Sequence, residues 1–226
     1  MSGFDRFARS YDADLNAGLS VTGEDKHFFA RERLLWLRRR LQSLDVHITT
    51  VMDFGCGPGS TTPLLREAFD GARVFGVDVS TELLDIARAD HTDPDVTFMT
   101  PDSWPSHLTV DLVYSSGVFH HIDPEQRPHS LNFISRSLRN GGVFALWENN
   151  PWNPGTRFVM SRIPFDHDAV TLSARQAVRL LNSAGLTTLA VDHAFIFPRA
   201  LKRLRPLEPW LAGWPLGGQY QVLATR

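Results

Sequence analysis

The chain has 226 residues, a formal net charge of −2 and a single cysteine, Cys56. This length indicates one enlarged domain, the lone cysteine excludes a disulfide framework, and the charge does not indicate a nucleic acid partner. With 42% hydrophobic and 21% charged residues, the composition is typical of a globular protein rather than a disordered or fibrous one.

Two features bear on location. The first residues carry aspartates and arginines instead of the apolar run of a secretory signal. Nowhere do about 20 apolar residues follow one another, as a membrane-spanning helix requires. We therefore expect a cytoplasmic protein without a transmembrane segment.

Two helices are predicted at the start of the chain, over residues 4–16 and 24–43, where apolar residues recur at helical spacing. They are expected to form a helical cap over about residues 1–45. The basic runs at 31–40 and 198–205 are interpreted as solvated helix faces, although their interleaved leucines would also suit a membrane or nucleic acid surface. A nucleic acid partner is not expected at this net charge.

From residue 49 to 148, short apolar runs alternate with amphipathic ones. Strands in strict turn with helices predict a parallel sheet that is covered on both faces. The predicted strands are TTVMDF, ARVFGVDV, DVTFM, TVDLVYSS and GGVFALWE, and the helices are STTPLLREAF, TELLDIARA and PEQRPHSLNFISRSL.

The rest of the chain is less regular at first. Residues 149–170 contain several prolines and are predicted to form a long loop or insertion beside the active site. A helix is expected to begin at Ser173, with Gln176 completing a capping box, and to end at Gly185. The remaining predictions are a strand over 186–197, a proline-bounded basic segment over 198–215 and a last strand in QYQVLATR.

A glycine-rich turn follows the first predicted strand. The sequence VMDFGCGPGS places Gly55, Gly57 and Gly59 between a strand and a helix, where a ligand can approach the backbone and the helix amides. The dinucleotide fingerprint G-x-G-x-x-G would need a further glycine at position 60, which is Ser60. The turn therefore indicates a nucleotide-type ligand other than an ordinary dinucleotide.

The position of Asp53 indicates which class of ligand the turn can bind. Its carboxylate lies two residues before Gly55, at the place where a dinucleotide would set its pyrophosphate. Like charges a few ångströms apart in a partly dry cleft would cost on the order of several kcal/mol, so NAD and FAD fit poorly. A ligand with an ammonium or sulfonium group is favoured instead.

Two further aspartates follow the next strands. Asp78 ends the second strand about 20 residues after the first glycine, where a carboxylate commonly accepts ribose hydroxyls. As an alternative, Asp78 merely opens the next helix, although Ser80 or Thr81 can already cap it. Asp102, after the third strand, could accept from an adenine amine, but aspartate is also common in loops.

These motifs resemble the ordered motifs of class I S-adenosylmethionine-dependent methyltransferases, and the resemblance is strong over residues 49–148. It implies an α/β, Rossmann-like fold with a seven-stranded, mostly parallel sheet, helices on both faces and an antiparallel last strand. The whole of 1–226 would be one methyltransferase domain. The motifs are D-F-G-C-G-P-G, V-D-V-S, P-D-S, D-L-V-Y-S-S-G-V-F-H-H-I, L-R-N-G-G-V-F, L-L-N-S-A-G-L and G-Q-Y-Q-V-L-A-T-R.

The resemblance also implies a set of cofactor-binding residues for S-adenosylmethionine. Asp53 and the glycine turn would hold the methionine moiety, Asp78 the ribose, and Asp102 with Ser103 the adenine. The chain departs from the family pattern at Pro101, where glycine is frequent, and at Phe119, where leucine is usual. The complete predicted set is Asp53, Gly55, Cys56, Gly57, Gly59, Asp78, Val79, Asp102, Ser103 and Ser115.

Candidate catalytic residues follow the fourth and fifth strands. A sulfonium methyl group is already activated, so no metal is expected, and an imidazole could assist deprotonation of an oxygen or carbon acceptor. His120 and His121 are the first candidates, although adjacent histidines are not expected to point equally into one pocket. Glu148 could bind substrate, orient a histidine or pair with an arginine. Asp166 and His167 are weaker candidates, and no ligand spacing supports a metal site.

Aromatic residues in the leading helices and the late segments suggest an apolar or ring-containing acceptor. Trp152 is the preferred contact, since Phe28 and Phe29 have the spacing of residues that pack a helix onto a sheet. The six aromatic residues concerned are Tyr11, Phe28, Phe29, Trp152, Trp210 and Trp214.

The predicted function is transfer of a methyl group from S-adenosylmethionine to an oxygen or carbon atom of a small organic acceptor. The alternatives are a non-catalytic module that binds S-adenosylmethionine, and methylation of a sugar or lipid-linked acceptor. Aminopropyl transfer would need extra acidic groups for a polyamine, and the sequence does not offer them. The residues do not indicate an oligomeric state.

Overall fold

A seven-stranded sheet with helices on both faces forms the centre of the structure, a computed structural model that describes residues 11–226. The part of the predicted helix 4–16 that precedes residue 11 and the side chain of Tyr11 lie outside the described residues. The strands are β1 Thr50–Phe54, β2 Arg73–Val77, β3 Val96–Met99, β4 Val110–Ser116, β5 Leu138–Asn149, β6 Thr187–Ala194 and β7 Gln219–Thr225. The helices are α1 Tyr11–Leu19, α2 Lys26–Ser43, α3 Thr62–Ala68, α4 Thr81–Asp90, α5 Arg127–Ser137, α6 Pro154–Met160, α7 Ala174–Ser183 and α8 Glu208–Leu211.

The strand order is β3-β2-β1-β4-β5-β7-β6, with β7 antiparallel to both of its neighbours and the other pairs parallel. The predicted mostly parallel sheet with an antiparallel last strand is therefore confirmed. In this register Asp53 of β1 lies beside Gly76 of β2 and Tyr114 of β4. The strand order reverses between β1 and β4, which is where ligands bind in open α/β sheets.

Alternating side chains of the strands pack into two cores, one on each face of the sheet. Met52 and Val113 face the core that includes Leu131 of α5 and Leu181 of α7. Their neighbours in the strands face the opposite core, which α2 and α3 cover. That second core includes Val51, Leu112, Tyr114, Trp147, Leu34, Leu37, Leu41 and Leu65. Burial on both faces explains why the strands read as nearly continuous apolar runs.

Side-chain caps define several helix starts. Asp25 accepts from the Phe28 amide at 2.8 Å at the start of α2, and Ser80 accepts from the Leu83 amide at 3.2 Å at the start of α4. At the start of α7, the Ser173 amide donates to Gln176 Oε1 at 2.8 Å, as the capping box predicts.

Helices occur in the segment 149–170, which was expected to form a long loop or insertion, and in the basic segment 198–215. The stretch 149–170 includes α6, which Asn153 caps through the Thr156 amide at 3.0 Å, and a 3-10 turn at Pro164–Asp166. The basic segment 198–215 contains a 3-10 helix at Arg199–Leu207, followed by α8. The prolines at 154 and 164 stand at the starts of their helices, where the missing amide hydrogen is not needed.

Helix α2 is fixed to the far edge of the sheet by one buried carboxylate. Asp192 of β6 accepts from Trp36 Nε1 at 3.1 Å and from Arg40 Nε at 2.7 Å. A second guanidinium nitrogen of Arg40 also bonds to Asp192. These bonds hold the helix that forms one wall of the site described below.

Within residues 11–226, none of the helices combines the length and the apolar character needed to cross a membrane.

Candidate active site

A cavity of about 520 Å³ lies at the carboxyl ends of β1 and β4, where the strand order reverses. The glycine turn and α2 form one part of its wall, and α6 and the segment after it form another. Among the predicted site residues, those that line it are Asp53, Gly55, Cys56, His120 and His121.

The glycine turn has a backbone that only glycine adopts easily. Gly55 has φ +74°, and a Cβ there would lie 2.4 Å from a methyl carbon of Val118. Gly57 has φ +54°, and nothing lies within 4 Å of a Cβ placed there. The first glycine is therefore needed for packing and backbone shape, and the second leaves the turn open to a ligand.

Asp78 connects the turn to the next helix. Its Oδ2 accepts from the Gly57 amide at 2.8 Å and its Oδ1 from the Ser80 amide at 2.9 Å. Because Ser80 itself caps α4, Asp78 is not the cap that the alternative interpretation proposed. Asp78 is partly exposed and Val79 is exposed, and neither is among the residues that line the cavity.

Three predicted cofactor contacts lie away from the cavity. Asp102 and Ser103 are exposed in a 3-10 turn after β3, where the hydroxyls of Ser103 and Thr100 lie 3.0 Å apart. Ser115 of β4 is fully buried, and its Oγ has no hydrogen-bond partner among the described residues. Since strand side chains alternate, Tyr114 and Ser116 face the cavity and Ser115 does not.

Asp53 is a buried acid on the cavity wall, with 3% of its surface exposed. Burial raises the pKa of this carboxyl to about 7, although the Thr62 hydroxyl, which donates to Oδ2 at 2.7 Å, opposes the shift. Burial, with the charges of Asp53 and Asp78, also raises the pKa of the neighbouring Cys56 thiol. Cys56 therefore stays a neutral thiol and is not an activated nucleophile.

Arg33 is a cavity residue that sequence reasoning missed. It lies on α2, donates from Nε to the Phe29 carbonyl at 3.0 Å and bonds to the Ser116 hydroxyl. Its charge opposes the raised pKa of Asp53. The basic run at 31–40 was read as a solvated face, yet Phe29, Arg33 and Leu37 recur at a spacing of four and share one helix face. That spacing was the available signal.

A second cation joins Arg33 on the cavity wall. Lys26, the first residue of α2, donates from Nζ to the Ser60 hydroxyl at 3.0 Å. Ser60 is the residue that stands where a dinucleotide fingerprint would have glycine.

Glu148 and His120 form a buried pair, of which His120 lines the cavity. Glu148 Oε1 accepts from the amides of Val118 and Phe119 at 3.1 and 2.8 Å, and Oε2 lies 2.5 Å from His120 Nδ1. Burial alone would lower the pKa of His120, but Glu148 and Asp166 outweigh it and raise the pKa to about 10. Of the three roles considered for Glu148, the structure shows the one that orients a histidine.

Asp166 lies close to the imidazoles of both His120 and His121. Its Oδ1 lies 3.6 Å from His120 Nε2 and 3.3 Å from His121 Nε2, and the two rings are 4.1 Å apart. Burial, together with the charge of His120, lowers the pKa of His121, and the two histidines lower that of Asp166 against the effect of its own burial. The expectation that adjacent histidines would diverge was wrong, because both line the same cavity.

The aromatic residues are distributed differently from the prediction. Phe28 and Phe29 line the cavity, and the Arg205 guanidinium lies 4.5 Å from the ring centre of Phe28. Trp152, Trp210 and Trp214 are 76%, 86% and 65% exposed and are not among the lining residues. The preference for Trp152 over the two phenylalanines was therefore wrong.

Comparison with known proteins places the chain among methyltransferases. The model of a family described as a methyltransferase domain matches residues 51–142. The trans-aconitate 2-methyltransferase of Azoarcus sp. (strain BH72) is 33% identical over 194 residues, which is 84% of this chain and 71% of that protein. The trans-aconitate 2-methyltransferase of Escherichia coli O7:K1 is 29% identical over 126 residues, and this match spans only 48% of its length.

Solved structures show the same fold. A methyltransferase from Thermotoga maritima, described as a possible histamine N-methyltransferase, matches with a TM-score of 0.68 and 20% identity over 98% of this chain and 97% of that one. A TehB-like methyltransferase from Corynebacterium glutamicum matches with a TM-score of 0.63 and 18% identity over 98% of both chains. Both are described as S-adenosylmethionine-dependent, and at these identities they establish the fold alone.

Proposed function

This chain belongs to the S-adenosylmethionine-dependent methyltransferases, and from that premise we propose that it methylates an oxygen atom of a small carboxylic acid. The observation that carries the proposal is a cavity lined by three cations, Lys26, Arg33 and Arg205, as well as by the buried acid Asp53. Since the methionine part of the cofactor has one carboxylate, this wall also offers positive charge to an acidic acceptor. The relatives named trans-aconitate 2-methyltransferase support the same class of acceptor.

We propose that the methionine end of the cofactor lies between Asp53 and Arg33. A buried carboxylate pairs favourably with the ammonium group, and the guanidinium suits the carboxylate. Asp78 is proposed to bind the ribose, since its carboxylate is held at the glycine turn by the amides of Gly57 and Ser80. Cys56, Gly55, Gly59 and Val79 would surround the cofactor, and Asp102, Ser103 and Ser115 remain proposed contacts toward the adenine.

The chemistry that the protein must supply is modest. When bound, S-adenosylmethionine presents a methyl group on a positively charged sulfur that is already activated for displacement. The chain's own residues then have to align the acceptor and exclude water. The side chains of Phe28, Phe29 and Phe165 form an apolar part of the cavity wall. His121 is proposed as the residue that contacts the acceptor. His120 and Glu148 are proposed as the residues that position His121.

The test is methyl transfer from S-adenosylmethionine with a labelled methyl group. Trans-aconitate is the first acceptor, followed by other small carboxylic acids and then by phenols. We expect a labelled methyl ester with at least one carboxylic acid and no transfer in the Arg33→Met and Asp53→Asn variants. Labelling of phenols alone would overturn the carboxylic acid proposal. Cofactor binding without transfer to any acceptor in the panel would contradict the proposed reaction and favour a binding module.

A lipid-linked acceptor is the second candidate, favoured by an exposed apolar stripe near the cavity. Four large apolar side chains are exposed along the segment that follows the lining residue Pro198: Leu201, Leu204, Leu207 and Trp210. Exposed Lys202 and Arg203 lie among them, a pattern that suits an anionic membrane surface. The unaltered protein should sediment with anionic vesicles, and the substitutions Leu204→Gln and Trp210→Gln should abolish this binding. No sedimentation of the unaltered protein would exclude the candidate.

Two coarser expectations stay proposals. We propose that residues 1–226 act as one domain, with α1 and α2 as the described part of a helical cap and about residues 149–170 as an insertion. Cytoplasmic location likewise stays a prediction, which fractionation of cells that produce the tagged chain would test.

A further inference from the structure

Three potential metal ligands converge at the inner end of the cavity. His120 Nε2, His121 Nε2 and one oxygen of Asp166 all lie within 4.8 Å of one another. Two of them follow β4, and the third comes from the 3-10 turn after α6, so the chain order gives no metal-binding signature. The fold alone brings them together.

The hydrogen bond to Glu148 determines which nitrogen of His120 is free. A carboxylate only accepts, so His120 Nδ1 must carry the hydrogen that Glu148 Oε2 receives at 2.5 Å. The lone pair of Nε2 then points toward Asp166 when the ring is neutral. This arrangement, in which a carboxylate fixes the tautomer of a ligating histidine, is common around bound metal ions.

Charge balance also favours a cation at this point. Glu148 and Asp166 are buried and both lie beside His120, so two carboxylates share one ring. Arg127, whose charge interacts with Glu148, donates its hydrogen bonds to the carbonyls of Ile122 and Val170. One divalent ion would neutralise both carboxylates, and it would remove the repulsion that an acidic acceptor would otherwise meet from Asp166.

Two of the three ligand spacings suit a first-row transition ion, and the third, between the two histidine nitrogens, is within 4.8 Å. Metal–nitrogen and metal–oxygen bonds of about 2.0–2.2 Å at a tetrahedral angle place neighbouring ligand atoms roughly 3.4 Å apart. Asp166 Oδ1 lies 3.3 and 3.6 Å from the two nitrogens. Two imidazoles and one carboxylate are a donor set for Zn²⁺, Fe²⁺, Co²⁺ or Mn²⁺ rather than for Ca²⁺.

We propose that His120, His121 and Asp166 bind one divalent first-row transition ion, with Glu148 orienting His120 and one coordination position open to the cavity. The ion would hold an oxygen of the acceptor, and this use of the site rests on the proposed function. The existence of the site does not, because its ligands are defined by geometry alone.

The experiment is titration of chelator-treated full-length protein with Co²⁺, followed through its visible absorption and by calorimetry. We expect one Co²⁺ per chain, which Zn²⁺ displaces. Asp166→Asn and His121→Gln should each lower the affinity by at least about 100-fold, and Glu148→Gln by about 10- to 100-fold. His129→Ala, which removes an exposed imidazole of α5, should bind as the unaltered protein does.

A parallel titration with S-adenosylmethionine separates this proposal from the proposed function. Failure to bind Co²⁺ in a protein that binds S-adenosylmethionine would overturn the metal site and leave the methyltransferase proposal standing. Equal Co²⁺ affinity in the unaltered protein, Asp166→Asn and His121→Gln would also overturn it. Circular dichroism of each variant excludes unfolding as the cause of a loss.

Discussion

At the scale of single residues, the burial of Asp53 lowers the stability of the folded protein once its carboxyl is ionised. The folded protein raises the pKa of Asp53 to about 7, whereas an aspartate in an unfolded chain has a pKa near 3.9. The folded state therefore binds the proton more tightly than the unfolded state does. The associated stability is present below about pH 4 and is lost as the pH rises to about 7.

Asp53→Asn should consequently stabilise the protein at pH 8 and change it little at pH 4.5. Thr62 can still donate to the amide oxygen, so the substitution removes the buried charge and keeps the hydrogen bond. Each kcal/mol gained corresponds to about 2–4 °C in the midpoint of thermal unfolding for a chain of this size. Melting curves at the two pH values test this, and a lower midpoint at pH 8 would contradict it.

The same variant should lose the cofactor. Removal of a buried charged partner of the ammonium group costs about 1–3 kcal/mol, or roughly 5- to 150-fold in affinity. In the unaltered protein, S-adenosylmethionine affinity should fall as the pH drops below about 7, because protonated Asp53 no longer attracts a cation. Calorimetric titrations from pH 5.5 to 8.5 test both statements. Thr61→Val is a control at the same cavity wall that retains the acid.

His121→Gln should separate binding from transfer. His121 is proposed to contact the acceptor rather than the cofactor, so S-adenosylmethionine affinity should stay within about twofold. A misplaced acceptor costs about 100-fold in rate, so kcat/KM for methyl transfer should fall by about that factor. His129→Ala should leave both quantities unchanged. A parallel loss of cofactor affinity in His121→Gln would contradict its role as an acceptor contact.

At the scale of elements, the site depends on how α2 and α6 are attached to the sheet. Helix α2 carries Arg33 and Lys26, and the Asp192 bonds to Trp36 and Arg40 fix it to β6. Helix α6 is held to the chain before β7, where Asn153 Nδ2 donates to the Leu216 carbonyl at 2.8 Å. These attachments position the wall residues of the cavity.

Asp192→Asn should destabilise the protein by about 1–3 kcal/mol, since the buried partner of the guanidinium loses its charge and one of its two acceptor oxygens. Urea unfolding measures the change. Asp85→Asn provides a matched control, because Asp85 pairs with Arg88 on the surface of α4, where such pairs contribute at most about 0.5 kcal/mol. Equal effects of the two substitutions would show that the Asp192 contacts do not hold α2.

At the scale of the whole molecule, two acids lie at the place where related folds bind a dinucleotide. Asp53 and Asp78 lie next to the turn between β1 and α3, and Asp53 is buried among apolar residues. A pyrophosphate would meet both negative charges. This is the physical basis for the choice of cofactor.

Thermal unfolding with added ligand tests that choice. S-adenosylmethionine at about 100 times its dissociation constant should stabilise the folded protein by about 2.7 kcal/mol. At 2–4 °C per kcal/mol, the midpoint should rise by about 5–10 °C. NADH at the same concentration should cause no shift, and a larger shift with NADH would overturn the assignment.

The sequence by itself determined the sheet, the glycine turn and the place of Asp53 and Asp78. A strand that is buried on both faces requires a run of apolar residues, and the turn requires glycine at positions 55 and 57. Both requirements are local, so the sequence shows them directly. The capping box at Ser173 was predictable for the same reason.

Only the tertiary structure decided which polar and aromatic residues meet in the cavity. In the sequence, Arg33 is part of a charged helix face, and only the packing of α2 on the sheet shows that it lines the cavity. Asp166 is one acid in a proline-rich stretch, and only the fold places it beside His120 and His121. Trp152 is apolar, yet the path of the chain leaves it in solvent. Their positions depend on contacts between residues far apart in the chain, and burial that arises from such contacts leaves no local pattern.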